Sequence, residues 1–367
     1  MTQRRTPDLL GLLRNPATLA QLSLREWDDT LRLARSANLM GRIAEAVLSE
    51  KNLLSALPPQ VQPHILATAR LTQHQQQAIQ WECRHLESAL GSLAIPLVLL
   101  KGAAYALSDH PAARGRLFGD VDLLVPHESL TAVEAALRLH GWTSGKLDPY
   151  DQRYYREWMH ELPPMVNLKR STVVDVHHNI LPRTARHVPD AGKLLEASLP
   201  IAGSRLRMLA PSDMVIHSAT HLFHEGELKN GLRDLHDLDA LFTSFSQADA
   251  LFWQALIERS IELKLTWPVL LAMRYCERLL RTPVPSSAVL AAKRAAGLSA
   301  LRLALLDAMY LPAFKPDHPL VANTRSQLAR AALYLRGHAL RMPLWQLSVH
   351  LGRKAVLRLV KHSSRRV

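Results

Sequence analysis

The 367-residue chain has only two cysteines, Cys83 and Cys276. They lie far apart in helix-like contexts with no CxxC spacing, which argues against a disulfide framework and a cysteine-built zinc site and fits a reducing compartment. No apolar run approaches the length needed to span a bilayer. The opening MTQRRTPDLLGLLRNP contains two arginines but no apolar h-region and no A-x-A site, so no signal peptide is expected and the expected location is cytoplasmic. No internal repeat of fixed period is apparent. Acids are the scarcer charge: 32 Asp and Glu stand against 45 Lys and Arg, for a net charge of +13. Such an excess suits nucleotides, nucleic acid or an anionic membrane surface without choosing among them. Beyond Asp317 no acid occurs at all, so the last part of the chain is purely basic among its charges.

What is present points to a globular protein, since nearly half of the residues are apolar and about a fifth are charged. Residues 1–88 read as a helical region. Leu31, Ala34, Leu39, Ile43 and Val47 recur at helical spacing, LPPQ breaks the pattern, and a long Gln-rich helix with a solvated face follows. The period changes at Gly91. Over 89–205, IPLVLL, FGDVDLLV and STVVDVHHNI read as short buried strands among helix-like segments. Residues 206–367 return to helix, with Pro211, Ser212 and Asp213 forming a natural start. The expected fold class is therefore α+β: a small mixed sheet flanked by helical regions at both ends.

The strand FGDVDLLV holds the chemistry. Asp120 and Asp122 are separated only by Val121, and a strand's period of two projects both carboxylates to one face. Like charges inside an apolar run are costly unless a cation answers them. A third carboxylate, Asp175, stands in the strand VVDV. Three converging carboxylates can hold two Mg²⁺ ions, the arrangement that clamps the attacking and leaving oxygens of an in-line phosphoryl transfer. At LKGAA a strand gives way to a helix at Lys101-Gly102, where backbone amides can approach a phosphate. The bland alternative makes one Asp a strand-end residue and the other a cap, with Asp175 paired to an arginine.

With Leu100-Lys101-Gly102, Arg116 four residues before Asp120-Val121-Asp122, and Asp175-Val176-His177 in this order, the chain resembles the polymerase-beta-like nucleotidyltransferase superfamily. More narrowly, it resembles the bacterial group catalogued as uncharacterised nucleotidyltransferases. The resemblance implies a Mg²⁺-dependent transfer of an NMP group from an NTP to an acceptor hydroxyl, with release of pyrophosphate. It implies Asp120, Asp122 and Asp175 as metal ligands and catalytic acids, and Lys101, Gly102 and Arg116 as nucleotide contacts. The acceptor, whether small molecule, protein or RNA end, is left open. One departure is Ala103, where the wider pattern has Gly or Ser after the glycine; a hydroxyl that could touch phosphate is missing. A non-catalytic nucleotide- or nucleic-acid-binding module on the same fold is the other reading.

Three further features carry less. His217, His221 and His224 share a helical face but lack the H-E-x-x-H glutamate, so a packed histidine cluster is expected rather than a metal stripe. In LRDLHDLDAL, Leu232, Leu235, Leu238 and Leu241 form one side, and Arg233 is expected to pair with Asp237 at i, i+4. The basic segment from Met342 sets Leu344, Leu347, Leu351, Ala355 and Leu359 opposite Arg353, Lys354, Arg358 and Lys361. That helix is expected to pack its apolar side on the protein, with contact to an anionic membrane or to nucleic acid as the alternative.

Overall fold

The computed structural model describes residues 7–145 and 153–341. Five helices come first: α1 (Leu9–Arg14), α2 (Leu24–Ser36), α3 (Met40–Ser49), α4 (Leu53–Ala56) and α5 (Gln62–Leu90). The start of α2 is set locally. The Ser23 hydroxyl accepts from the Glu26 amide, and the Glu26 carboxylate accepts from the Ser23 amide, closing a capping box.

The α/β part follows as β1 (Val98–Leu99), α6 (Lys101–Leu107), β2 (Asp120–Leu124), α7 (Leu130–Leu139), β3 (Trp142–Thr143), β4 (Met165–Asn167), β5 (Val173–His177), α8 (Ala191–Glu196), β6 (Leu199–Pro200) and β7 (Arg207–Met208). The seven strands form one mixed sheet in the order β3-β4-β5-β2-β1-β7-β6. Central β2 runs antiparallel to β1 and parallel to β5. Val121 and Leu123 of β2, with Val174 and Val176 of β5, are buried, so the alternate residues Asp120, Asp122 and Asp175 take the other face. Strands β4, β6 and β7 are not evident in the sequence. At two or three residues each, they are too short to show an alternation and are held by their neighbours in the sheet.

The chain then closes over the sheet with α9 (Pro211–His224), α10 (Gly231–Ala248), α11 (Phe252–Glu262), α12 (Thr266–Tyr275), α13 (Ser286–Ala296), α14 (Ala300–Ala313) and α15 (Thr324–Arg341). The stripe of Leu232, Leu235, Leu238 and Leu241 on α10 is buried, as its spacing indicates. Helix α5 packs on α3, α6, α7 and β2, while α9 packs on α6 and on α10, α11, α12 and α15. One apolar core thus runs from Leu9 to Leu333 through both helical regions and the sheet. No helix among the described residues is long and apolar enough to cross a membrane. The basic segment from Met342, with its two readings, lies outside the described residues.

The Arg233–Asp237 pair expected on α10 does not form. Asp237 is buried and accepts from Arg42 Nη2 of α3 at 2.7 Å and from Arg116 Nε at 2.8 Å. Arg233 instead turns to its neighbour Asp234 at 2.7 Å. The reason is burial: a carboxylate removed from water needs full compensation, and two buried guanidiniums from earlier in the chain supply it. Arg42 also donates to the carbonyls of Ala112 and Arg114, which ties the loop before β2 to the N-terminal helices.

Candidate active site

The parallel pairing of β2 with β5 sets Asp122 directly opposite Asp175, and the carboxylate oxygens of Asp120, Asp122 and Asp175 all lie within 4.8 Å of one another. They form one wall of a cavity of about 590 Å³ that Lys101, Gly102 and Arg116 also line. All six residues singled out in the sequence therefore meet around a single space.

The charges there are unevenly answered. Lys101 Nζ stands 4.0 Å from Asp122 Oδ2, and His177 Nε2 lies 3.1 Å from Asp122 Oδ1. Burial opposes ionisation of Asp122, but the Lys101 charge and the His177 hydrogen bond outweigh it and hold this carboxyl well below the usual range. Asp120 gains no such partner among the described residues; burial and the Asp122 charge push it up. Asp175 is raised to about 7 by burial and by the charges of Asp122 and Glu161. Its Oδ1 is buried and has no hydrogen-bond partner among the described residues. Three hard oxygen donors, one of them orphaned, fit a divalent cation.

The turn after β1 is tight. Lys101 has φ +43°, a left-handed conformation uncommon for a residue with a side chain. Gly102 is needed for a different reason: a Cβ there would collide with Arg116 Nη1 and crowd the Phe118 ring. Arg116 is buried, and its guanidinium lies over the rings of Phe118 and Tyr105, at 5.4 and 6.0 Å from their centroids. Burial opposes its charge, yet Asp237 more than restores it and holds Arg116 above its ordinary value. Behind the acid strand, Gln75 of α5 accepts from the Phe118 amide at 3.0 Å and fixes the loop that delivers Asp120.

The opposite wall comes from elements distant in sequence. His217 and His221 of α9 line the cavity together with Glu225, Arg233 and Arg341. His221 pairs with Glu225 at 2.7 Å; burial tends to raise that carboxyl, but the His221 charge draws it down to about 2. His224 does not join them. Its ring packs against Trp267 with a centroid separation of 4.6 Å, and its Nδ1 contacts the Thr220 carbonyl. The histidine face therefore divides between cavity and core. Glu161 is a site residue that the sequence reading missed. It lies in an irregular stretch without periodicity, and it reaches the site because its backbone bridges to His177 at the end of β5.

Residues 23–281 match the family described as uncharacterised nucleotidyltransferase, well over half of the chain. The chain belongs to this family. No curated protein matches it. Among solved structures it is similar to an antigenic nucleotidyltransferase-like protein from Paracoccidioides brasiliensis, at 17% identity and a TM-score of 0.28, covering 60% of this chain and 95% of that one. Within the nucleotidyltransferase match fall all three carboxylates, Lys101, Gly102 and Arg116, as well as Glu161, His217 and Asp237.

Proposed function

We propose that this protein transfers the nucleotidyl group of an NTP to an acceptor hydroxyl and releases pyrophosphate. The observation that carries the reading is the convergence of Asp120, Asp122 and Asp175 within 4.8 Å on a cavity wall that also presents Lys101. A surface that only bound an anion would gain nothing from three carboxylates beside it, because they repel phosphate. Asp120, Asp122 and Asp175 would hold two Mg²⁺ ions, which supply charge neutralisation at the phosphate oxygens and lower the pKa of a bound hydroxyl. Lys101, the Gly102 backbone and, as a supporting cation, Arg116 bind the triphosphate. Asp175, as a carboxylate, takes the proton of the acceptor hydroxyl as its oxygen bonds to the α-phosphorus and the bond to the β-phosphate oxygen breaks. We assign this chemistry to residues 89–205. The helices before and after this segment would complete the cavity, with Asn38 from the first and His217, His221, Arg233 and Arg341 from the second among its lining residues.

The test is pyrophosphate release from each NTP with Mg²⁺ and a panel of hydroxyl acceptors. Asp120→Asn and Asp122→Asn should each abolish turnover in folded protein, and Lys101→Ala should weaken NTP binding in calorimetry. NTP binding without turnover under any acceptor, unchanged in Asp120→Asn, would establish the binding-module reading instead.

A further inference from the structure

A second set of donors faces the same cavity beside the acid triad and differs from it in chemistry. Ligand atoms of His160, Glu161 and His177 lie within 4.8 Å of one another. The positions are built by backbone pairing. Glu161 bridges to His177, the His178 amide donates to the His160 carbonyl at 2.8 Å, and the Leu162 amide donates to the Val176 carbonyl at 2.8 Å. The two histidine rings stand 5.3 Å apart between centroids.

The orientation of His177 is informative. Its Nε2 lies 3.1 Å from Asp122 Oδ1, an acceptor, so Nε2 carries the hydrogen. The other ring nitrogen, Nδ1, faces a second carboxylate, Glu161 Oε2, at 3.3 Å. His177 is 7% exposed, and its Nδ1 has no hydrogen-bond partner among the described residues. A ring nitrogen and a carboxylate held face to face are joined either by a proton or by a metal ion between them. A shared proton would satisfy those two groups and leave His160, whose buried Nδ1 is likewise unpartnered, with no part in the arrangement. A metal ion uses all three. A histidine that donates its other N–H to a carboxylate is also the usual form of a metal-ligating imidazole, because that bond fixes tautomer and ring orientation.

We propose that His160, Glu161 and His177 form a binding site for a divalent transition metal of the Zn²⁺ class. Two imidazoles and one carboxylate suit such an ion, whereas the all-oxygen triad suits Mg²⁺. The site stands apart from the nucleotidyl-transfer reading and does not depend on it. Its link to the triad is Asp122, which accepts from the ring whose other nitrogen holds the metal.

The experiment uses the full chain, stripped of metal by chelation and titrated with Zn²⁺ in excess Mg²⁺ against a chromogenic indicator, with Co²⁺ absorption as a second readout of nitrogen ligation. One Zn²⁺ per chain is expected, with a visible Co²⁺ d–d band. His160→Ala and Glu161→Gln should each weaken Zn²⁺ binding by at least about 100-fold, the upper range for losing even an outer-shell partner. Glu161→Gln preserves size and so guards against a folding defect, which circular dichroism checks. Asp120→Asn should retain the Zn²⁺ site and lose turnover, so the two readings fail separately. Absence of Zn²⁺ binding, or binding of equal strength in His160→Ala and Glu161→Gln, overturns the proposal.

Discussion

Two charged clusters meet at Arg116, and they are built on opposite principles. In the first, buried Asp237 is answered by two guanidiniums at 2.7 and 2.8 Å, and its carboxyl is held below its ordinary value despite burial. In the second, three carboxylates converge and, among the described residues, only Asp122 has close partners, the Lys101 ammonium and the His177 ring. The first cluster joins α3, the loop before β2 and α10, and its single carboxylate is answered twice. The second is left electrostatically unfinished at a cavity. The contrast separates a cluster that holds the fold from one that awaits a ligand: a carboxylate that must stay out of water is given cations of the chain itself, whereas carboxylates that are to receive an ion are left short of them.

Breaking the Asp237 cluster should have the largest effect. Asp237→Ala strands two buried guanidiniums and should cost about 3–5 kcal/mol, read as a large drop in the denaturation midpoint. A loss below about 1 kcal/mol would mean that water reaches both arginines. Gly102→Val comes next because it presses on Arg116 and Phe118, and a cost of about 1–3 kcal/mol is expected. The guanidinium is pinned by Asp237 and cannot swing away freely, so this variant tests the mechanical link between the two clusters. For the same reason, Lys101→Ala is the cleaner probe of nucleotide binding.

Within the unbalanced cluster the two strand acids should part company. Relief of like-charge repulsion, read from the sequence, treats Asp120→Asn and Asp122→Asn alike; the structure does not. Asp122→Asn keeps an oxygen that can accept from His177 but removes the charge that strengthens this bond and answers Lys101, and should lower metal-free stability by about 1 kcal/mol. Asp120→Asn removes an unanswered charge and should raise the metal-free melting temperature. Equal shifts of the same sign in the two variants would show that Lys101 and His177 do not single out Asp122.

The smallest effect concerns pH. Between the ordinary carboxylate value and about 7, the folded chain keeps a proton on Asp175 that the unfolded chain has released. The metal-free protein should therefore lose stability as pH rises through that window and level off above it. Asp175→Asn should flatten this dependence, melting above the wild type at about pH 8 and converging with it at about pH 4. Parallel wild-type and variant profiles would mean that Asp175 ionises as freely in the folded chain as in the unfolded one.

Much of the molecule is written locally. Alternation in FGDVDLLV and STVVDVHHNI placed the acids on strand faces, and the 3.6 period of the flanks marked the helices, because both patterns depend only on which side of an element meets the core. The short sequence distance from Asp120 to Asp122 sufficed to put them side by side. The rest depended on long-range pairing. The register of β2 against β5 decided that Asp175 faces Asp122 rather than a neighbour, and no local signal encodes a parallel register across fifty residues. Asp237 offered Arg233 one turn away, yet burial against α3 gave it Arg42 and Arg116, because desolvation rewards whichever cations are enclosed with it. Glu161 left no trace in the pattern, and a bridge to the end of β5 brought it to His177. Residue type and spacing thus determined which side chains could do chemistry, whereas the sheet register and the closing helices decided which charges meet, because electrostatic partnership depends on distance and burial that only the packed chain defines.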